Sequence, residues 1–176
     1  RRESHVARLE DRASEIRQDL IRMLTAAGSG HSAGPLGMAD VFTALYFHIL
    51  NHNPKKPDDP NRDRVFLSNG HICPIWYVTL AHAGYLSRDE MLNSLRKLGS
   101  RLQGHPHRKA LSPIENPSGP LGQGLSQAAG YAYAARMSAK GGKFSVYCLM
   151  SDGEHDEGQT WEAILFAGKQ HLDNLT

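Results

Sequence analysis

The sequence predicts an α/β sandwich, with helices layered on a mainly parallel sheet, and three observations lead there. Apolar residues recur at three- and four-residue steps over long stretches, the period of amphipathic helices. Two short apolar runs, VFLS and FSVYCLM, are rich in β-branched or aromatic residues and bounded by loops, as buried strands are. Helical patterns stand between and after these runs, and helices interleaved with parallel-type strands make a layered α/β domain.

The elements follow in chain order. Val6, Leu9, Ala13, Ile16, Leu20, Leu24 and Ala27 define a first amphipathic helix that ends near Gly28. Met38, Val41, Phe42, Leu45 and Ile49 repeat the pattern in a second. NHNPKKPDDPNRDR is a proline-rich polar loop, after which VFLS forms a short strand broken by Asn69-Gly70. Further helices are predicted from about Ile72 to Ala83, from a capping box Ser87-x-x-Glu90 to Leu98, and from about Leu121 to Ala139. FSVYCLM is the second strand, and a last helix runs from about Gly158 to Gln170. No internal repeat, low-complexity tract or linker interrupts the chain, so residues 1–176 read as one domain.

Composition narrows the partners. With 176 residues, of which 40% are hydrophobic and 22% charged, the chain can bury a real core. A formal charge of +2 is mild, and the basic residues are scattered without aromatic interleaving, so nucleic acid is not implied. Cys73 and Cys148 lie far apart in or beside apolar runs, which suits reduced core thiols in a cytosolic protein better than a disulfide or zinc framework. No stretch is long and apolar enough to span a membrane, and RRESHVARLEDRASEIR lacks the apolar core of a signal peptide. The expectation is a soluble cytoplasmic protein.

The chemistry concentrates in loops. Directly after FSVYCLM stand Asp152, Glu154, Asp156 and Glu157. Crowded carboxylates repel, so this cluster asks for solvent, basic partners or a metal ion, and it sits at the carboxyl end of a strand, where open α/β sheets bind ligands. A solvated acidic turn capping the next helix is the alternative. Four other loops, GSGHSAGPLG, SNGH, GHP and NPSGPLGQG, are glycine-rich, and three carry a histidine. Glycine lets backbone amides approach a ligand closely, and histidine moves protons near neutral pH. No Walker lysine follows these glycines, and His105 and His107 have no cysteine or carboxylate at zinc-site spacing.

In order and spacing over nearly the whole chain, these motifs resemble the amino-terminal domain of transketolase. The resemblance is carried by His31-Ser32-Ala33-Gly34-Pro35-Leu36-Gly37-Met38 and by Asn61-Arg62-Asp63-Arg64 leading to Ser68-Asn69-Gly70-His71. It continues through Leu98-Gly99-Ser100-Arg101 leading to Gly104-His105-Pro106, and through Gly119-Pro120-Leu121-Gly122-Gln123-Gly124. Ser151-Asp152-Gly153-Glu154 resembles the start of the thiamine diphosphate motif, with serine where the family usually has glycine. The implied fold is the thiamine diphosphate-binding one, a three-layer helix–sheet–helix α/β domain, here the pyrophosphate-binding domain with its carboxyl end truncated.

The resemblance implies an activity and assigns roles. The activity is transfer of a two-carbon ketol unit from a ketose phosphate to an aldose phosphate, with thiamine diphosphate as electron sink and magnesium as its companion ion. Asp152 is the implied magnesium ligand and, with His71, Gly119, Leu121, Gly153 and Glu154, forms the cofactor-binding set. His31 and His105 would face substrate hydroxyls and carbonyl, relaying protons or stabilising a developing alkoxide. Glu157 and Glu162 stand where family glutamates run between two cofactors at the subunit interface. The second magnesium ligand, an asparagine, would fall beyond Thr176, and Asn174 comes too early to be it.

The pyrimidine-binding domain, with the glutamate that activates the cofactor and most of the phosphate grip, is not in this chain. The expected partner is therefore a carboxyl-terminal transketolase subunit, in a heterotetramer with two copies of each. The full first helix favours a genuine amino terminus. The alternatives are a deoxyxylulose phosphate synthase-like enzyme, a 2-oxo acid dehydrogenase α subunit, or a non-catalytic cofactor-binding subunit.

Overall fold

A computed structural model of the chain describes residues 2–137 and 144–176. They group into two compact units, the first made of Arg1–Leu50 and His71–Gly104, the second of Asn51–Gly70 and His105–Thr176.

The first unit is helical. In α1 (Arg2–Ala27), Ala13, Ile16, Leu20 and Met23 are buried at three- and four-residue steps, and this stripe packs on the helices that follow. Gly28, at φ +64°, donates its N–H to the Leu24 carbonyl at 3.0 Å and closes α1 as the sequence predicts. The second predicted helix is a composite. A short α2 (Ala33–Gly37) lies inside a stretch that reads as loop, its Pro35 tolerated because the first turn needs no intrahelical N–H. Then α3 (Ala39–Ala44) widens into a π-type turn over Leu45–Ile49.

Apolar on all sides, α4 (Cys73–His82) is buried from Cys73 through Leu80, and its Trp76 Nε1 donates to the Tyr46 hydroxyl at 2.6 Å. The capping serine of α5 (Arg88–Ser94) is Ser87, whose Oγ accepts from the Glu90 N–H at 3.0 Å. This helix stops four residues short of the predicted Leu98. Leu95 leaves helical geometry at ψ 126° and is buried, and Arg96 takes φ +60° to donate its N–H to the Leu102 carbonyl at 2.8 Å. Burial of Leu95 and Leu102 outweighs the helical propensity of the last predicted turn.

Asp19 fastens α1 to α4 and α5 from inside the unit. Its buried carboxylate accepts from Arg88 Nε and Nη2 at 2.8 and 2.7 Å and from Arg22 at 2.8 Å, and His82 Nε2 lies 3.1 Å away. The Arg88 hydrogen bonds, opposed by burial and helped by Arg22 and His82, hold this carboxyl far below the usual carboxylate range. A depressed native pKa contributes stability above the unfolded value of about 3.9, and that stability is lost as pH falls toward the native value. Thermal melts from pH 6 downward should therefore lose stability below about pH 4, and Asp19→Asn should flatten that slope. An unchanged slope in the variant would refute the assignment.

The second unit is built on a small parallel sheet. β1 (Arg64–Leu67) pairs with β2 (Val146–Leu149) in the register Arg64↔Val146 to Leu67↔Leu149. On the other edge of β2, Asn174 and Thr176 continue the sheet, with Val146 N–H donating to Asn174 O and Cys148 N–H to Thr176 O, both at 2.8 Å. The small residues Ala128, Ala129 and Ala132 of α6 (Gln123–Met137) let that helix lie close over Phe66, Val146 and Leu172. Against α6 packs α7 (Gly158–Lys169). The predicted end of α6, Ser138 and Ala139, lies outside the described residues.

Buried Arg62 and Arg64 share Glu115 and hold the proline-rich loop. Arg62 Nε donates to Pro57 O at 2.6 Å, and Arg64 Nη2 to Asp59 O and Pro60 O at 3.1 Å. Cys73 and Cys148 are free thiols, each pushed up to about 12 by burial. Among the described residues no helix is long and apolar enough to cross a membrane.

Candidate active site

In the second unit the loops singled out by composition meet at Glu154. β1 delivers Ser68 to its carboxyl end, and β2 delivers Ser151 and Asp152 to the parallel position beside it. Glu154 follows in a short 3-10 turn, Gly153–Asp156, and is completely buried. Its Oε1 accepts from the Gly122 N–H at 2.7 Å and contacts the Ser68 hydroxyl, while Oε2 accepts from Ser151 N–H at 2.7 Å and Ser151 Oγ at 3.1 Å. Ser68 Oγ in turn accepts from the Gly124 N–H at 3.0 Å in the first turn of α6, an amide with no intrahelical partner. Thr160 Oγ1 donates to the Glu154 carbonyl at 2.8 Å and ties α7 to the same turn.

Two glycines are required by this geometry. Gly122 has φ +81°, and a Cβ there would stand 2.9 Å from Glu157 Cβ. A Cβ on Gly124 would overlap the Ser68 side chain, so only glycine lets the start of α6 reach the end of β1.

Asp152 stands outside this hub. It is exposed at the carboxyl end of β2, and among the described residues no group bonds its side chain. Beside it Gly153 faces open space. The carboxylates expected as one cluster therefore divide. Glu154, expected to touch the cofactor, is enclosed by the chain's own donors, whereas Asp152, Asp156 and Glu157 remain on the surface. Glu157 precedes α7 and lies against Gly122, and Glu162 is exposed on α7 beside a groove lined by Ser126, Gly130 and Phe166.

The GHP and GPLGQG loops also come together. Ser118 N–H donates to Pro106 O at 3.3 Å, and the His105 ring lies over Gly119, with Cδ2 3.5 Å from where a Cβ would be. His105 is exposed, as is Leu121, while His107 Nδ1 is engaged by the Lys109 N–H at 3.2 Å. In the first unit the exposed His31 and the half-buried His71 bring their rings to a centroid distance of 4.8 Å, tilted by 54°.

The donor set fits a diphosphate–magnesium group in its chemistry. A carboxylate with no bonded neighbour suits a hard cation, and the Asn69 Oδ1 and Ser118 Oγ atoms, both in the loops of the second unit, are buried without a hydrogen-bond partner among the described residues. Among the described residues no group of three His, Cys, Asp or Glu side chains could hold a metal by itself, so such a cation would need further ligands from phosphate, water and other protein oxygens. Sequence reasoning missed Ser68 and Ser118. Ser68 acts through a partner 86 positions away, a relation with no local signal.

Known proteins match this pattern. Residues 10–176 match the family profile described as "Transketolase, thiamine diphosphate binding domain". The chain is 43% identical over 168 residues to transketolase from Homo sapiens, covering 95% of this chain and 26% of that protein. It is 39% identical over 167 residues to the 6-deoxy-6-sulfo-D-fructose transketolase subunit SqwG of Clostridium sp. (strain MSTE9), covering 95% of this chain and 60% of that protein. Among solved structures, transketolase from Campylobacter jejuni superposes with a TM-score of 0.87 at 39% identity, over 95% of this chain and 27% of that one. Transketolase from Leishmania mexicana gives 0.87 at 35% identity, over 95% and 26%. The chain thus spans about a quarter of the length of the single-chain relatives and three-fifths of the SqwG subunit.

Proposed function

Because the chain belongs to the transketolase family, through its thiamine diphosphate-binding domain, we propose that it is the diphosphate-binding part of a two-carbon ketol transferase. Residues 1–176 act as one pyrophosphate-binding domain, working in the cytoplasm with a carboxyl-terminal subunit that carries the pyrimidine-binding domain, two copies of each. The subunit wording of the SqwG relative, and the 60% of it that this chain covers, support the split arrangement. A ketose phosphate donor and an aldose phosphate acceptor are the substrates.

The observation that carries this reading is Asp152, a carboxylate without a partner among the described residues at the carboxyl end of β2, where open α/β sheets take their ligands. Asp152 would hold magnesium, and Gly153 would let the backbone approach the diphosphate. His71, Gly119 and Leu121 complete the cofactor contacts. When bound, thiamine diphosphate supplies the electron sink for breaking and forming the carbon–carbon bond. His105 and His31 present imidazoles to substrate oxygens, donating and accepting protons there. Glu157 and Glu162 stand at the interface with the next subunit.

Replacing Asp152 by Ala tests the assignment. In the assembled complex, calorimetry should show magnesium-dependent thiamine diphosphate affinity reduced about 10-fold or more, because a hard cation loses a charged oxygen ligand. The melting temperature without cofactor should stay within a few degrees, since the side chain makes no bond within the described structure. Unchanged affinity would remove Asp152 from the site.

A further inference from the structure

Glu154 receives four hydrogen-bond contacts, and every one comes from a donor. The Gly122 and Ser151 amides and the Ser151 hydroxyl donate directly. Ser68 is the fourth: its oxygen already accepts the Gly124 N–H, so its hydroxyl proton is free to go to Glu154. Each side-chain oxygen of Glu154 faces a backbone N–H, Gly122 on Oε1 and Ser151 on Oε2, so both must accept, which an amide side chain cannot do. The side chain is completely buried, and these N–H and O–H groups satisfy its oxygens there.

The donors belong to three separate segments: the end of β1 at Ser68, the Gly122–Gly124 approach to α6, and the end of β2 at Ser151. We infer that Glu154 is a positioning residue, a buried carboxylate clasp that holds these segments in one geometry and thereby aims the neighbouring Asp152 and the loop amides at the cofactor's diphosphate and its cation. This inference rests on the function proposed above. Glutamine has the shape of glutamate but must turn its NH₂ toward at least one of these donors, so it keeps the volume and breaks the clasp. Ser68→Ala is the milder cut, removing the relay from Gly124 and one of the four donors.

The test has two independent arms on wild type, Glu154→Gln and Ser68→Ala. Amide hydrogen exchange on the full-length chain without cofactor reads the clasp alone: Gly122 and Ser151 should lose protection in Glu154→Gln, and Gly124 in Ser68→Ala, while α1 amides do not change. Unchanged exchange at these amides overturns the clasp. Calorimetry on the assembled complex, titrated with thiamine diphosphate at several magnesium concentrations, reads the consequence. Glu154→Gln should weaken affinity about 10- to 100-fold, as loss of groups that orient a metal ligand does, with part of the loss recovered at high magnesium. Lost protection or a lowered melting temperature with unchanged affinity would mean that the carboxylate serves folding only, and would overturn the positioning role. If Glu154→Gln fails to fold, Ser68→Ala decides by the same two readouts, with a several-fold loss of affinity expected. Wild type that binds no cofactor would overturn the proposed function and the positioning role together, while exchange would still judge the clasp.

Discussion

Purified by itself, the chain should give no ketol transfer above the uncatalysed background, and activity should appear on adding the proposed carboxyl-terminal subunit. The resemblance places the group that activates the cofactor in a pyrimidine-binding domain, and the chain spans only 26% of the length of human transketolase. One missing acid–base group alone costs about 10²- to 10⁴-fold. By the same resemblance, that domain would also supply part of the cofactor cleft and most of the substrate phosphate grip, so the losses would compound. The assay is donor-dependent consumption of an aldose phosphate by the chain, with the partner shown to be absent by mass spectrometry. Turnover under those conditions would refute the split arrangement, whatever the fate of the individual site residues.

His105→Ala should separate chemistry from binding. The imidazole is exposed over Gly119, on a loop anchored where Pro106 O accepts the Ser118 N–H at 3.3 Å. The anchor is main chain, so truncating the side chain leaves it intact. Thiamine diphosphate affinity and assembly should therefore persist, while turnover falls by about 10²-fold or more, the usual contribution of one proton-relaying or oxyanion-stabilising group. Steady-state kinetics and a thermal melt on the same sample separate the possibilities. Near-normal turnover with a lowered melting temperature would make His105 a structural residue.

Much of the fold was legible because it is written locally. The α1 stripe through Ala13, Ile16 and Leu20, the Gly28 stop, the Ser87 cap and the apolar runs of β1 and β2 each follow from neighbours within a few positions, whereas Met23 is buried in place of the expected Leu24 and Val6 is exposed. The misses occur where distant packing decides. Helix α5 ends at Ser94 because Leu95 and Leu102 are buried, and no periodicity announces that. Gly34, Pro35 and Gly37 have loop composition yet form α2, since proline in a first turn gives up no hydrogen bond.

The loops that carry the chemistry were visible by composition, but the division of labour among their carboxylates was not. Asp152 and Glu154 look alike in a string of acids. Which of them faces outward depends on Ser68, Gly122 and Gly124, far away in sequence. Asn69 and Ser118 became recognisable only as buried polar atoms left without partners, a property of the packed state.

The pairing of β1 with β2 joins Arg64 to Val146, so the sheet closes a loop of 146 − 64 = 82 positions. Closing a flexible chain of that length costs about 4 kcal/mol in configurational entropy, more than a first pair of ladder hydrogen bonds returns. That cost is offset by packing: Ala128, Ala129 and Ala132 of α6 share one buried cluster with Phe66 of β1 and Val146 of β2, so both strands rest on one apolar surface. The alanine stripe is thus the seat that both strands share, and a bulkier side chain at Ala129 would strain the closed sheet.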